Sequence, residues 1–135
     1  MSKVIGVSGG KLAFGDYKVT EKQKEQMEFE GDLYKIKSHN QVTRLSRNNV
    51  MVFESVPGTR VENFVTAEER IEFDVYGDAD ASIILAVEDK TNFMLDIDGI
   101  VYDNTSYIAP GKLNINVTFE GDGPVHVLVQ KNPEA

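Results

Sequence analysis

The chain reads as an all-β protein, an antiparallel β-sandwich of jelly-roll or immunoglobulin-like type with little or no helix. Three observations carry that expectation. From residue 69 onward apolar residues recur at period two in five runs, Ile71–Val75, Ile83–Val87, Phe93–Ile97, Leu113–Phe119 and Val125–Val129. Gly, Asp and Asn punctuate those runs at intervals of roughly eight to twenty residues. Nothing alternates amphipathic helices of about ten residues with strands, which sets aside a βαβ fold.

Taken in order, Lys3–Val7 is a short apolar run closed by Ser8-Gly9-Gly10, and Leu12–Val19 follows. Two extended runs around a Gly-Gly pair predict a hairpin or a bulged strand pair. Thr20–Glu30 is the most polar stretch, and only Met27 and Phe29 within it can face a core. They lie two apart, so an exposed loop or a frayed helical turn is expected. Asp32–Lys37 sets Tyr34 and Ile36 against Leu33, Lys35 and Lys37, a strand with one apolar face. Val42–Asn49 is ambiguous up to a turn at Asn48-Asn49. Val50–Phe53 is apolar on both faces and suits a central strand. Pro57-Gly58 fits the two middle positions of a type II turn, since proline presets one φ and glycine accepts a positive one. Further on, Ile83–Val87 is apolar on both faces and asks for cover on both sides.

Residues 1–135 are expected to form one domain. Within it, 1–19 is a glycine-hinged strand segment, 20–31 a polar linker, 32–131 the main strands and 132–135 a tail. The length favours a single hydrophobic core, and 41% apolar with 27% charged residues is the balance of a soluble globular chain. The net charge of −8, with no dense run of Lys or Arg, argues against nucleic acid and against anionic membranes. The absence of cysteine removes disulfides, thiolate metal sites and a thiol nucleophile. No secretory leader and no spanning helix is read from the sequence, so a cytoplasmic location is expected.

Candidate chemistry is sparse. Gly6-Val7-Ser8-Gly9-Gly10 matches the G-x-S-x-G pattern of serine hydrolases, but the strand-then-helix context that mechanism needs is missing, which leaves a glycine turn. His39 and His126 stand far apart and read as surface or turn residues rather than bases or ligands. Asp96, Asp98 and Asp103 are weak candidates for Ca²⁺, which wants several converging oxygens; their spacing is not that of an EF-hand. No other cofactor is expected. Paired carboxylates for glycoside hydrolysis lack a tryptophan platform, though five tyrosines offer contact area. Asn104-Thr105-Ser106 and Asn116-Val117-Thr118 match the glycosylation pattern by chance.

Leu12–Tyr17, Gly31–Lys37, Phe53–Thr59 and Gly111–Ile115 together resemble a family of small clostridial and other Firmicute proteins that often carry the label "endosialidase". The likeness covers most of the chain, and Val56-Pro57-Gly58-Thr59 is its most specific part. The label implies sialidase chemistry, which relies on an arginine cluster and a tyrosine nucleophile. Arg44, Arg47, Arg60 and Arg70 stand in no such motif, so no catalytic residues carry over. The expected function is therefore a non-catalytic binding or self-assembling structural module, with itself as partner. A carbohydrate-binding module is the alternative, and a sialidase-type glycosidase the third reading. Val4, Ile5, Val7, Leu12 and Phe14 are the expected assembly segment, able to pair with a neighbour's sheet edge. Pairing within the same chain is the competing expectation.

Overall fold

Tight two-residue turns build four of the hairpins. Gly9-Gly10, Glu30-Gly31, Asn48-Asn49 and Asp98-Gly99 hold both residues at positive φ, between 51° and 88°. That is the type I′ geometry, whose twist matches the strands it joins. The computed structural model describes residues 4–67, 70–87, 93–102, 106–109, 111–119, 121 and 123–131, and it contains no helix among them. Its strands are β1 (Ile5–Ser8), β2 (Lys11–Phe14), β3 (Gln23–Phe29), β4 (Asp32–Ser38), β5 (Thr43–Arg47), β6 (Val50–Val56) and β7 (Arg60–Ala67). They continue with β8 (Arg70–Tyr76), β9 (Ala81–Ala86), β10 (Phe93–Ile97), β11 (Ile100–Tyr102), β12 (Ser106–Ala109), β13 (Lys112–Val117) and β14 (Val125–Lys131).

The strands form two antiparallel sheets, β1-β2-β7-β8-β14-β10-β11 and β12-β13-β9-β6-β5-β4-β3. The protein is a β-sandwich. Apolar side chains at alternate positions fill the space between the sheets, with Phe14, Phe53, Phe73, Leu45, Ile83, Leu85 and Leu113 fully buried. Phe53 of the second sheet meets Phe14, Phe64 and Phe73 of the first edge to face, at centroid distances of 5.2, 6.1 and 5.6 Å. Such pairs contribute roughly 0.5–1.5 kcal/mol each beyond the area they bury.

Four expectations need correction. The polar linker over 20–31 is largely strand: Gln23–Phe29 pairs with β4 along its whole length as the edge of the second sheet. Met27 and Phe29, two apart, turn inward and pack on the core, while Lys24, Gln26 and Glu28 face outward. Two apart is the period of a strand, and an edge strand needs little apolar surface to be held. The assembly segment is also mostly core. Val4, Ile5, Leu12 and Phe14 are at most 5% exposed, and β2 pairs with β7 of its own chain; only Val7, at 46%, is open. Pairing within the chain is the outcome, because these side chains complete a core that the other strands leave open. Ile83–Val87 needs no second cover either. Ile83 and Leu85 point inward, and Ile84 sits half-buried on the outer face between Glu54 and Asn114.

The fourth correction concerns Pro57-Gly58. The Val56–Pro57 bond is cis, and Gly58 does not have the positive φ that a type II turn requires. Gly58 is needed for space: a Cβ there would collide with the carbonyl oxygen of His39. The segment is pressed against a buried cluster of hydroxyls, Ser38, Thr43, Ser55 and Thr59, all fully buried. Thr43 Oγ1 donates to the Thr59 carbonyl (2.8 Å) and accepts the Thr59 N–H (3.0 Å). Its single proton is thereby used, so Ser38 Oγ must be the donor in the 2.7 Å Ser38–Thr43 contact. Ser38 Oγ in turn accepts the Asp16 N–H at 2.9 Å. These bonds link the ends of β2, β4, β5, β6 and β7, with every buried side-chain polar atom among the described residues partnered, and so fix where the chain passes between sheets.

Candidate functional site

Two outer sheet faces carry the chemistry. On the first sheet, His126 of β14 lies directly opposite Asp74 of β8, and Glu72 is Asp74's neighbour on the same face. The imidazole Nδ1 lies 2.7 Å from Asp74 Oδ1 and its Nε2 2.8 Å from Glu72 Oε2, and ionised carboxylates can only accept, so both nitrogens face acceptors. A bulge in β7 between Glu62 and Val65 puts Asn63 at φ 55°, and its Nδ2 donates to the other Asp74 oxygen at 2.9 Å. Donation from both ring nitrogens requires the imidazolium. The Asp74 hydrogen bond raises the His126 pKa, burial opposes it, and Glu72 adds to the rise. For Asp74, burial pushes the pKa up but is outweighed by the His126 and Asn63 hydrogen bonds, which leave it lowered.

This arrangement is a clamp. A general base needs a free ring nitrogen within reach of its proton, and here both nitrogens are occupied by carboxylates. The backbone continues the clamp, since the His126 N–H donates to Asp98 Oδ1 at 2.8 Å and the Asp98 N–H to the His126 carbonyl at 2.9 Å. His126 therefore ties β14 to β8 and to the β10–β11 turn. The sequence reading of His126 as an ordinary surface histidine misses this, because Glu72 and Asp74 lie more than fifty residues away in the chain. His39, the other histidine, is buried at 6% exposure, with its N–H on the Val42 carbonyl. It is not a surface residue, but it does lie in the turn connection between β4 and β5.

The outer face of the second sheet is different. Register places Lys24 of β3 opposite Lys37 of β4, and Lys37 opposite Arg44 of β5. Three cations thus stand abreast on adjacent strands about 4.8 Å apart. Lys35 follows one step along, beside Gln26 and Ser46. Glu54 of β6 closes the row as Arg44's salt-bridge partner, with Arg44 Nε donating to it at 2.7 Å. The face forms an open depression of about 500 Å³. Like charges directly opposite each other destabilise a strand pair, so the row works against folding. This corrects the view that the chain lacks a basic stripe. The cations are scattered in sequence and are gathered by the sheet.

A third feature lies at one end of the sandwich, where Tyr17, Lys18, Arg60, Glu62 and Tyr76 line a second depression of about 510 Å³. Arg60 Nη1 donates to the Gly15 carbonyl at 3.2 Å and its Nε is 3.5 Å from Glu62. Burial first, then the Glu62 and Asp74 charges, raise the Tyr76 pKa, so its hydroxyl stays protonated and able to donate.

The other candidates from sequence are not brought together. Asp96 Oδ1 accepts the Gly99 N–H at 2.8 Å and Asp98 Oδ1 the His126 N–H, so both shape the β10–β11 turn. Asp103 lies outside the described residues, as do Asn104 and Thr105. Among the described residues, no three His, Cys, Asp or Glu side chains converge as a metal-ligand group. Ser8 is exposed at the end of β1, with a strand and not a helix after its turn. No family model, curated protein or solved structure matches the chain, so its chemistry rests on its own residues.

Proposed function

We propose that the protein is a non-catalytic module that works by association, with the outer face of the second sheet as its contact surface and copies of itself as its first partner. The observation that carries this is the row Lys24–Lys37–Arg44, three cations abreast in a chain of net charge −8. A row that costs folding stability points to a role outside the fold, and a surface carrying carboxylates relieves its repulsion. Arg44 already holds one carboxylate, that of Glu54, which leaves Lys24, Lys35 and Lys37 for a partner. Polynucleotides are disfavoured as that partner by the overall negative charge. The clamped state of His126 supports a non-catalytic role.

The test is light scattering at rising protein concentration. At low ionic strength the mass should climb above that of the monomer, and in about 1 M salt, where screening acts within about 3 Å, it should return to it. The double variant K35E/K37E should stay monomeric in both. A wild-type protein that is monomeric throughout, or that releases sialic acid from a polymeric substrate, would contradict the proposal.

A second reading, carbohydrate binding, is favoured by the end depression, where two half-buried tyrosines stand beside Arg60 and Glu62. Aromatic area next to polar groups that fix orientation is what a glycan site uses. Titration with millimolar oligosaccharides, wild type against Tyr17→Ala, decides it. A saturable response lost in the variant supports the reading, and no response removes it.

A further inference from the structure

Resting on the association proposed above, we infer that the cationic face docks on one particular surface of a second copy: the end of the sandwich formed by the β8–β9 connection and the β10–β11 turn. Asp78, Asp80 and Asp98 are all exposed there, and residues 77–80 and 98–99 contain no cation; Arg60, opposite Tyr76 at the edge of this end, is 3.5 Å from Glu62. The β-sheet register brings the two segments to the same end, since β14 pairs with β8 through Val125↔Val75 and with β10 through Val127↔Ile97.

The two surfaces match in spacing as well as in sign. Lys35 and Lys37 project from the same face of β4, about 6.8 Å apart along the strand. Asp78 and Asp80 are likewise two residues apart, so their Cα atoms lie at most about 7 Å from each other. Neither pair is consumed within the chain by an ion pair among the described residues. Lys35 Nζ makes only an exposed hydrogen bond to Asn49, at 3.1 Å.

The face and the end are different surfaces of one chain, so each copy offers both. Such a contact is heterologous and adds subunits in one direction without closing on itself unless the rotation happens to close a ring. The face, cationic on β3 to β5 and closed by Glu54 of β6, covers four strands, or roughly 19 Å by 20 Å and about 400 Å². That is about half of the 800 Å² per partner of a standard stable interface, so the contact is weak, reversible and dependent on salt.

Charge exchange tests this directly. K35E/K37E makes the face acidic and leaves the end acidic, while D78K/D80K makes the end basic and leaves the face basic. All four positions lie on the outer surface, and melting curves check that both variants fold. By sedimentation velocity at low ionic strength, each variant alone should be monomeric at a concentration where wild type associates. An equimolar mixture should associate again, because each variant's face now complements the other's end. If K35E/K37E dissociates but D78K/D80K does not, the cationic face stands as a contact and the acidic end is overturned as its partner. If both variants associate like wild type, the inference is overturned and association runs through another surface. A monomeric wild type overturns the inference together with the proposal beneath it.

Discussion

At the scale of single residues, the protein uses polar groups to hold strands in place. Thr43 shows how much depends on one hydroxyl. Replacing it by valine keeps the shape but strands the Thr59 N–H and carbonyl in a dry site, while the Ser38 hydroxyl keeps Asp16, whose carbonyl lies 3.4 Å away. At roughly 1–3 kcal/mol per buried group left unpaired, the two Thr59 groups put the cost of Thr43→Val at about 2–6 kcal/mol, read as a lower midpoint in urea unfolding. Ser55, whose hydroxyl meets Thr59 Oγ1 at 2.7 Å from the other side, should be cheaper to lose, because it leaves fewer partners unpaired. His126 gives a pH dependence with a defined sign. Its pKa is raised on folding, so its contribution is complete below the ordinary value of 6.5 and fades as pH rises through the folded value. Asp74 is lowered, so its contribution is present above the ordinary 3.8 and is lost as pH falls through its folded value. The clamp therefore acts fully between about 4 and 6.5. His126 is 44% exposed, which limits the clamp to below about 1 kcal/mol. The stability difference between wild type and His126→Gln should be largest in that window and shrink in alkali. A difference that grows with pH would show that the imidazolium is not the stabilising form.

At the scale of strands, most of the sheet rhythm is legible in the sequence and the edges are not. Strands β8, β10, β13 and β14 are visible because their inward positions are apolar and, Met94 and Leu128 apart, their outward positions polar. Asn48-Asn49 and Gly9-Gly10 announce their turns by residue type. The strand β3 escapes notice because an edge strand packs only Met27 and Phe29 on the core, and its remaining residues are good helix formers. The short β11 and β12 carry too few residues for a period to be read. Both polar clusters are hidden for a different reason: each joins residues from several strands, and only register brings them together. The clearest test at this scale is Lys24→Glu. It replaces a like-charged cross-strand pair with an attractive one, an acid opposite Lys37. The thermal midpoint should rise through a gain of up to about 1 kcal/mol. A gain in stability coupled to weaker association would show that the row is kept for binding.

At the scale of the whole molecule, the N-terminal segment changes meaning. Expected from sequence as a glycine-hinged strand segment able to pair with a neighbour's sheet edge, residues 1–19 supply Val4, Ile5, Leu12 and Phe14 to the core. Removing them should abolish cooperative unfolding and not merely the proposed assembly, so truncation cannot separate the two. Val56-Pro57-Gly58-Thr59, which stands out in the sequence, also takes a structural sense. That segment carries the chain from one sheet to the other over the buried hydroxyls, with Gly58 against the His39 carbonyl. Gly58→Ala should lower stability by more than about 2 kcal/mol in chemical denaturation, since backbone must move to admit a methyl group. Function, as proposed, lies on the outer face that those buried contacts present. The measurement that reaches it most directly is a dilution series of amide ¹H–¹⁵N spectra at low ionic strength. Resonances that move with concentration should include Lys24, Lys35, Lys37 and Arg44 and should stop moving in high salt. Shifts confined to the sheet edges β1 and β11, or none at all, would contradict the claim that this face is where the protein makes contact.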